Sequence, residues 1–395
     1  MTSHQIAPGT HLAKLRAARG MSQVGLARKA NISVSLLSKI EVGSRTLTPA
    51  AAAALGRAMG LTMDEVLGKA PVAAAEAESL RDLRGAMRDF DLPGAVAVEP
   101  AEVAADLRRV SELRDAVELT RLTGILPPLL RKVTAHAHDA HTTEAWAALA
   151  ETYSAVYWLA ARHRWMDLAE VAVARQRWAA EQRADPLVQA IADRDRAGTY
   201  LNFGDCEGGL TVIDRAIGAA EERLTGERRA IATGILHLRG MTLAGRLPDK
   251  REAERQADKH IQYARRLCAS FPDDFRVHGL TFGPRNALTH EMATLVDLKK
   301  PKKALALTGD LATALAGLPP TRLAPSFIAQ ARAQLDTGDA GAALESLARA
   351  HRIAPQMVRI HPMALEVLRV VDSLHKRSNP LLNRLRTVIG PLPAP

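Results

Sequence analysis

The 395-residue sequence is poor in cysteine, aromatics and long apolar runs: it holds two cysteines, Cys206 and Cys268, and is 4% aromatic. The two cysteines lie in separate helical patterns with no metal-type spacing, so neither a disulfide framework nor a zinc site is expected, and both read as buried small hydrophobes. A membrane span needs about 18 apolar residues in succession, and no such run occurs. The N-terminus lacks a signal-peptide pattern, so a cytoplasmic, nucleoid-associated protein that does not engage membranes is expected. No nucleophile elbow, P-loop or dinucleotide fingerprint is present, which leaves no reason to expect an enzyme or a cofactor. From about Glu99 to Leu392 every periodic segment has helical spacing and no run alternates like a strand, so the expected class is all-α.

What the chain does have is ample apolar content, 47%, and a formal charge of +10 that is unevenly spread. Residues 1–70 contain nine Lys and Arg against three Asp and Glu, a net +6 in under a fifth of the chain. A basic head on a larger body is the electrostatic footprint of nucleic-acid binding. The length suits two or three domains: a head over 1–70, a linker with a connecting helix near Leu80 to Phe90 over 71–98, and a helical body over 99–395. Residues 1–9 read as disordered, Thr10 as a helix cap, and Thr62 with Glu65 as a capping box.

Within the head, SQVGLARKANISVSLLSKIEVGSR (22–45) reads as two short helices joined by a tight turn. Ser22 and Ser33 are N-caps. Asn31 stands where the chain reverses, and Asn enters the left-handed region at small cost. Leu37 and Ile40 face inward, while Val34, Ser35, Ser38 and Lys39 face out. This stretch, with LAKLRAARGMSQ before it and TLTPAAAAALGRAMGLTMDEVLG after it, resembles the helix-turn-helix of the Xre/Cro family. Two departures are Asn31 where Gly is commonest and Gly25 where a better helix former is usual, the latter costing roughly 1 kcal/mol against Ala.

The resemblance implies a five-helix head whose second short helix enters the major groove, with Val34, Ser35, Ser38 and Lys39 toward the base edges. Ser can serve several bases, Lys favours guanine and Val touches only a thymine methyl. Ser22, Gln23, Ser44 and Arg45 are the expected phosphate contacts. It also implies a structural pair between Arg16 and Glu41. The implied partner is a double-stranded, palindromic DNA operator bound by a homodimer.

Behind the head, helices come in pairs. Turns between the members of each pair fall at Arg164-Trp165, Gly204-Asp205, Arg246-Leu247, Lys300-Pro301 and Gly338-Asp339, giving steps of 40, 42, 54 and 38 residues. The long step contains an insertion, Phe271 to Leu280. Small or turn residues followed by Ala-rich second helices are the signature of helix-hairpin repeats of tetratricopeptide type, which stack into a superhelix with a concave face. TRLTGILPPLLRKV, FGPRN from Phe282 and GDAGAALESLARAHRIAP are similar to segments of actinobacterial helix-turn-helix regulators with such a C-terminal half, a broader group that in other Gram-positive bacteria includes peptide-pheromone sensors. The resemblance implies regulation, without specifying the signal.

First helices of such repeats line the concave face. Polar residues there without a cap or turn role are Arg194, Asn202, His237, Arg285, Asn286 and His290, candidates to hold a small peptide or small-molecule ligand through its backbone amides or a carboxylate. The HAHDAH run (136–141) does not put its histidines on one helical face and reads as a polar helix end with no metal. Trp146, Tyr153 and Tyr157 share a face and read as packing between hairpins. KKPKK (299–303) reads as a solvated turn. Two functions fit: a dimeric, ligand-sensing transcriptional regulator, or a repeat scaffold for other proteins tethered to DNA by its head.

Overall fold

The computed structural model describes residues 8–61, 63–67, 74–94, 98–374 and 379–389. The head comprises α1 (Pro8–Ala18), α2 (Gln23–Lys29), α3 (Val34–Glu41), α4 (Pro49–Met59) and α5 (Met63–Leu67). Local chemistry sets their ends. Ser22 accepts a hydrogen bond from Gly25 N, Ser33 from Leu36 N and Thr48 from Ala51 N, each satisfying a donor the helix leaves open. Asn31 makes the turn with φ 52°, and Gly43 and Gly60 come after α3 and α4 at positive φ. Leu12, Leu26, Leu37, Ile40, Leu47 and Leu55 are fully buried and form the small core. Thr10 lies inside α1, which begins two residues earlier, so it is not the cap. Of the nine residues expected to be disordered, Pro8 and Gly9 are helical and the rest lie outside the described residues, as does Thr62 of the expected capping box.

The segment 68–73 also lies outside them. Next come α6 (Ala74–Arg88) and α7 (Pro100–Asp115). Rather than bridging two bodies, α6 buries Leu80, Leu83, Ala86 and Met87 in the core of the helical array behind the head. Then come α8 (Leu119–Ala140), α9 (Thr143–His163) and α10 (Met166–Gln182), α11 (Pro186–Phe203) and α12 (Cys206–Arg223), and α13 (Gly226–Ala244) and α14 (Lys250–Cys268). After a hairpin of β1 (Phe275–Val277) and β2 (Leu280–Phe282), the array resumes with α15 (Pro284–Asp297), α16 (Pro301–Ala306) and α17 (Leu311–Ala314). It finishes with α18 (Pro320–Asp336), α19 (Ala340–Ile353), α20 (Pro355–Ile360), α21 (Pro362–Leu374) and α22 (Pro380–Ile389). All five expected junctions fall in turns between paired helices, and Arg164 takes φ 61° at the first of them.

The array curls back on itself. α18 meets α7 and α20 meets α9, and Gln356 Oε1 accepts from Thr120 N at 3.1 Å.

The β-hairpin departs from the all-helical expectation. His278 and Gly279 both have positive φ, 42° and 69°, as a two-residue hairpin turn with the right twist requires. Its antiparallel register pairs Phe275 with Phe282 and Val277 with Leu280. Phe282 is fully buried against Gly234 of α13, where an added Cβ would stand 2.5 Å from the ring. Three-residue strands are too short to show a period of two in sequence.

Candidate nucleic-acid interface and an arginine-lined cavity

Glu41, at the end of α3, ties the two helices of the motif to α1. Its carboxylate accepts from Arg16 Nε at 2.7 Å and Nη2 at 3.0 Å, and from Gln23 Nε2 at 2.7 Å. With Leu37 and Ile40 buried behind it, α3 cannot turn about its axis. Its outer face therefore presents Val34, Ser35 and Lys39, all exposed, with Ser38 half-buried beside them. Ser44 is exposed, its hydroxyl donating to Lys39 O at 3.2 Å. Ser22 is exposed at the α2 cap, whereas Gln23 is committed to Glu41.

The C-terminal end of α3 is anchored on the repeats. Leu47 N donates to Glu366 Oε1 at 2.7 Å, and Glu366, buried on α21, also accepts from Arg369 at 2.7 and 2.9 Å. Ser373 Oγ donates to Gly43 O at 3.3 Å. Arg45 Nη1 meets Asp336 Oδ1 of α18 at 3.0 Å. On the head's far side, Arg57 donates to the carbonyl of Gly204, and Ala53 packs on that glycine.

Between head and repeats lies a cavity of about 310 Å³. Pro49, Met63 and Leu67 of the head form one wall; the others come from the first helix of every hairpin, α9, α11, α13, α15 and α18, together with α20–α21. Seven arginines line it, Arg162, Arg164, Arg194, Arg239, Arg246, Arg322 and Arg332, and among the described residues no Asp or Glu does. Arg246 and Arg332 share the buried Asp297, each at 2.7 Å. Arg194 pairs with the fully buried Asp195, which also accepts from Ser154 Oγ at 2.6 Å and Gln176 Nε2 at 3.2 Å.

Arg162, Arg239 and Arg322 have no carboxylate partner among the described residues, and the Nε of each is buried without a hydrogen bond. Burial first, then neighbouring guanidinium groups, push Arg162 and Arg239 down to about 10 and Arg322 to about 9, so all three remain charged at neutral pH.

Of the six ligand candidates, Arg194, Asn202 and His290 line this cavity and the other three do not. His237 is buried beneath Tyr263, stacked at 4.8 Å, with its Nδ1 2.9 Å from that of His260. Arg285 pairs with Asp273 at 3.2 Å beside the β-hairpin, and Asn286 is buried with its Nδ2 donating to Thr281 O at 2.9 Å. The unpaired arginines are not singled out by the sequence pattern, although the same rule of a polar residue on a first helix applies to them. Elsewhere, His138 is set edge-on to Trp146 with ring centres 5.0 Å apart, and the turn lysines Lys299 and Lys300 pair with Asp336 and Glu254 at 3.6 and 3.2 Å.

No helix among the described residues is long and apolar enough to cross a membrane. No curated protein matches the chain. A solved structure of a PrgX mutant is similar over 96% of this chain and 99% of that one, at 9% identity and a TM-score of 0.24. Residues 12–66 match the family model described as Helix-turn-helix, and with Ser22 and Ser33 capping its two helices around the Asn31 turn, the head of this chain is an Xre-type helix-turn-helix, a DNA-binding module.

Proposed function

We propose that the protein is a sequence-specific transcriptional regulator that binds its operator as a dimer, with the helical repeats holding the dimer and sensing a small ligand. The observation that carries this reading is the division of α3, whose inner face is locked by Leu37, Ile40 and Glu41 while Val34, Ser35 and Lys39 stay exposed. Phosphate contacts give affinity and base contacts give preference. Footprinting of the full-length protein should therefore show two half-sites with centres about 34 Å apart or a multiple of that spacing; one asymmetric half-site would argue against dimeric binding. Binding to duplex DNA without sequence preference would favour a tethered scaffold.

Binding selections separate the roles of single residues. Ser35→Ala and Lys39→Ala should each remove about 1 kcal/mol of base discrimination, whereas Arg45→Ala should weaken all sequences alike. An unchanged preference in Ser35→Ala would displace α3 from the groove.

A further inference from the structure

We propose that the cavity between the head and the repeats is a binding site for a small, multiply charged phosphate compound of the nucleotide or oligophosphate class. Two carboxylates already satisfy three of its arginines: Asp297 holds Arg246 and Arg332, and Asp195 holds Arg194. Among the rest, Arg162, Arg239 and Arg322 are brought together from three helices, each with a buried Nε that bonds to nothing. All three are half-buried, with Arg162 lying over the Trp158 ring at 5.0 Å; a partly buried cation without a carboxylate is costly to keep, and here three like charges face one space.

A single carboxylate, such as a peptide C-terminus, would balance one of the three. An oligophosphate brings several negative charges and many acceptor oxygens to planar, forked donors built to take them. Thr321 adds a buried hydroxyl without a hydrogen-bond partner in the same wall. Met63, Leu67 and Met363 add apolar surface to the lining and would suit a base or other non-polar group. At about 310 Å³ the space falls at the small-molecule end of ligand sites. Because Pro49, Met63 and Leu67 belong to the helix-turn-helix, the occupant would touch both the head and the repeats.

The test is calorimetry and thermal unfolding of the full-length protein with pyrophosphate, tripolyphosphate and a nucleoside triphosphate, against citrate and chloride at matched ionic strength. Pyrophosphate should raise the unfolding midpoint by several degrees through preferential binding to the folded state, well beyond citrate. A nucleoside triphosphate that binds tighter than tripolyphosphate assigns the nucleotide, and equal affinities assign the inorganic chain. Arg239→Gln and Arg322→Gln should weaken pyrophosphate at least tenfold while raising the midpoint of the unliganded protein, since each removes one repelling charge.

Pyrophosphate no better than chloride would overturn the inference, as would undiminished binding by both variants. Unliganded midpoints that fall in both variants would also overturn it, by showing that the guanidinium groups serve folding. Signalling from the site to DNA rests on the regulator reading above, and the two fail separately: bound phosphate with unchanged operator affinity would sink sensing and leave the site standing.

Discussion

Asp297→Asn is expected to lower the stability of the folded chain by about 3–5 kcal/mol, the usual effect of removing one partner from a buried ion pair. Asn keeps the shape and one acceptor but loses the charge that faces Arg246 and Arg332, each 2.7 Å away. Burial alone pushes this carboxyl up, and the two guanidinium groups more than reverse that, holding it at about 2. Its folded pKa is below the unfolded value, so its contribution is complete above about pH 4 and is lost as pH falls through 2. The measurement is the urea midpoint at pH 7 for wild type and variant. A change below 1 kcal/mol would mean that the arginines find other partners. Opposite signs are thus expected within one cavity, since Arg322→Gln removes a cation with no partner while Asp297→Asn leaves two without one.

Acid should destabilise the protein well before its carboxylates titrate. Burial first, and then the charges of nearby cations, push His237 down to about 3 and His260 to about 4, with the paired imidazole as a further cause for His237. The two rings share a hydrogen bond, so both stay neutral in the fold while the unfolded chain takes up protons below about 6.5. A depressed folded pKa gives stability that is present above the unfolded value and lost as pH falls. Each ring then costs about 2 kcal/mol between pH 7 and pH 5, and the pair about 4, a large share of an ordinary folding free energy. Burial pushes His290 and His361 down as well, so they add to the fall. Urea unfolding at the two pH values checks this, and replacing His260 with Leu should remove one ring's share, about 2 kcal/mol. Identical stability at both values would mean that the rings accept protons in place.

How much of the structure is legible in the sequence depends on the range of the interactions. The caps at Ser22 and Ser33 and the left-handed Asn31 depend on atoms within four residues, and the five hairpin junctions depend on turn residues at their own positions. α13 is harder to read. Gly234 and Gly240 look like weak points in a helix, yet they are where Phe282 and His260 press closest, with added Cβ atoms standing 2.5 Å from each ring. That need arises from residues 20 or more positions away in the chain. The arginine cavity is the least legible part, because its arginines lie on or just after four helices, α9, α11, α13 and α18, and only closure of the array brings them together. The local hint is an arginine inside an otherwise apolar run, as in WLAARHRW around Arg162 or ILHLRGMTLA around Arg239.

The Arg45 contact with Asp336 bears on how DNA affinity should respond to salt. A free arginine that meets a phosphate releases condensed cations, and each such contact steepens the fall of affinity with ionic strength by nearly one unit of the logarithmic slope. Arg45 begins already neutralised by a carboxylate of its own chain. Moving to a phosphate would free one cation from the DNA but break the contact with Asp336, which would keep Lys299 at 3.6 Å, so part of the gain is given back. Asp336→Asn should therefore steepen the salt dependence of operator binding by the full-length protein, and an unchanged slope would mean that Arg45 meets no phosphate.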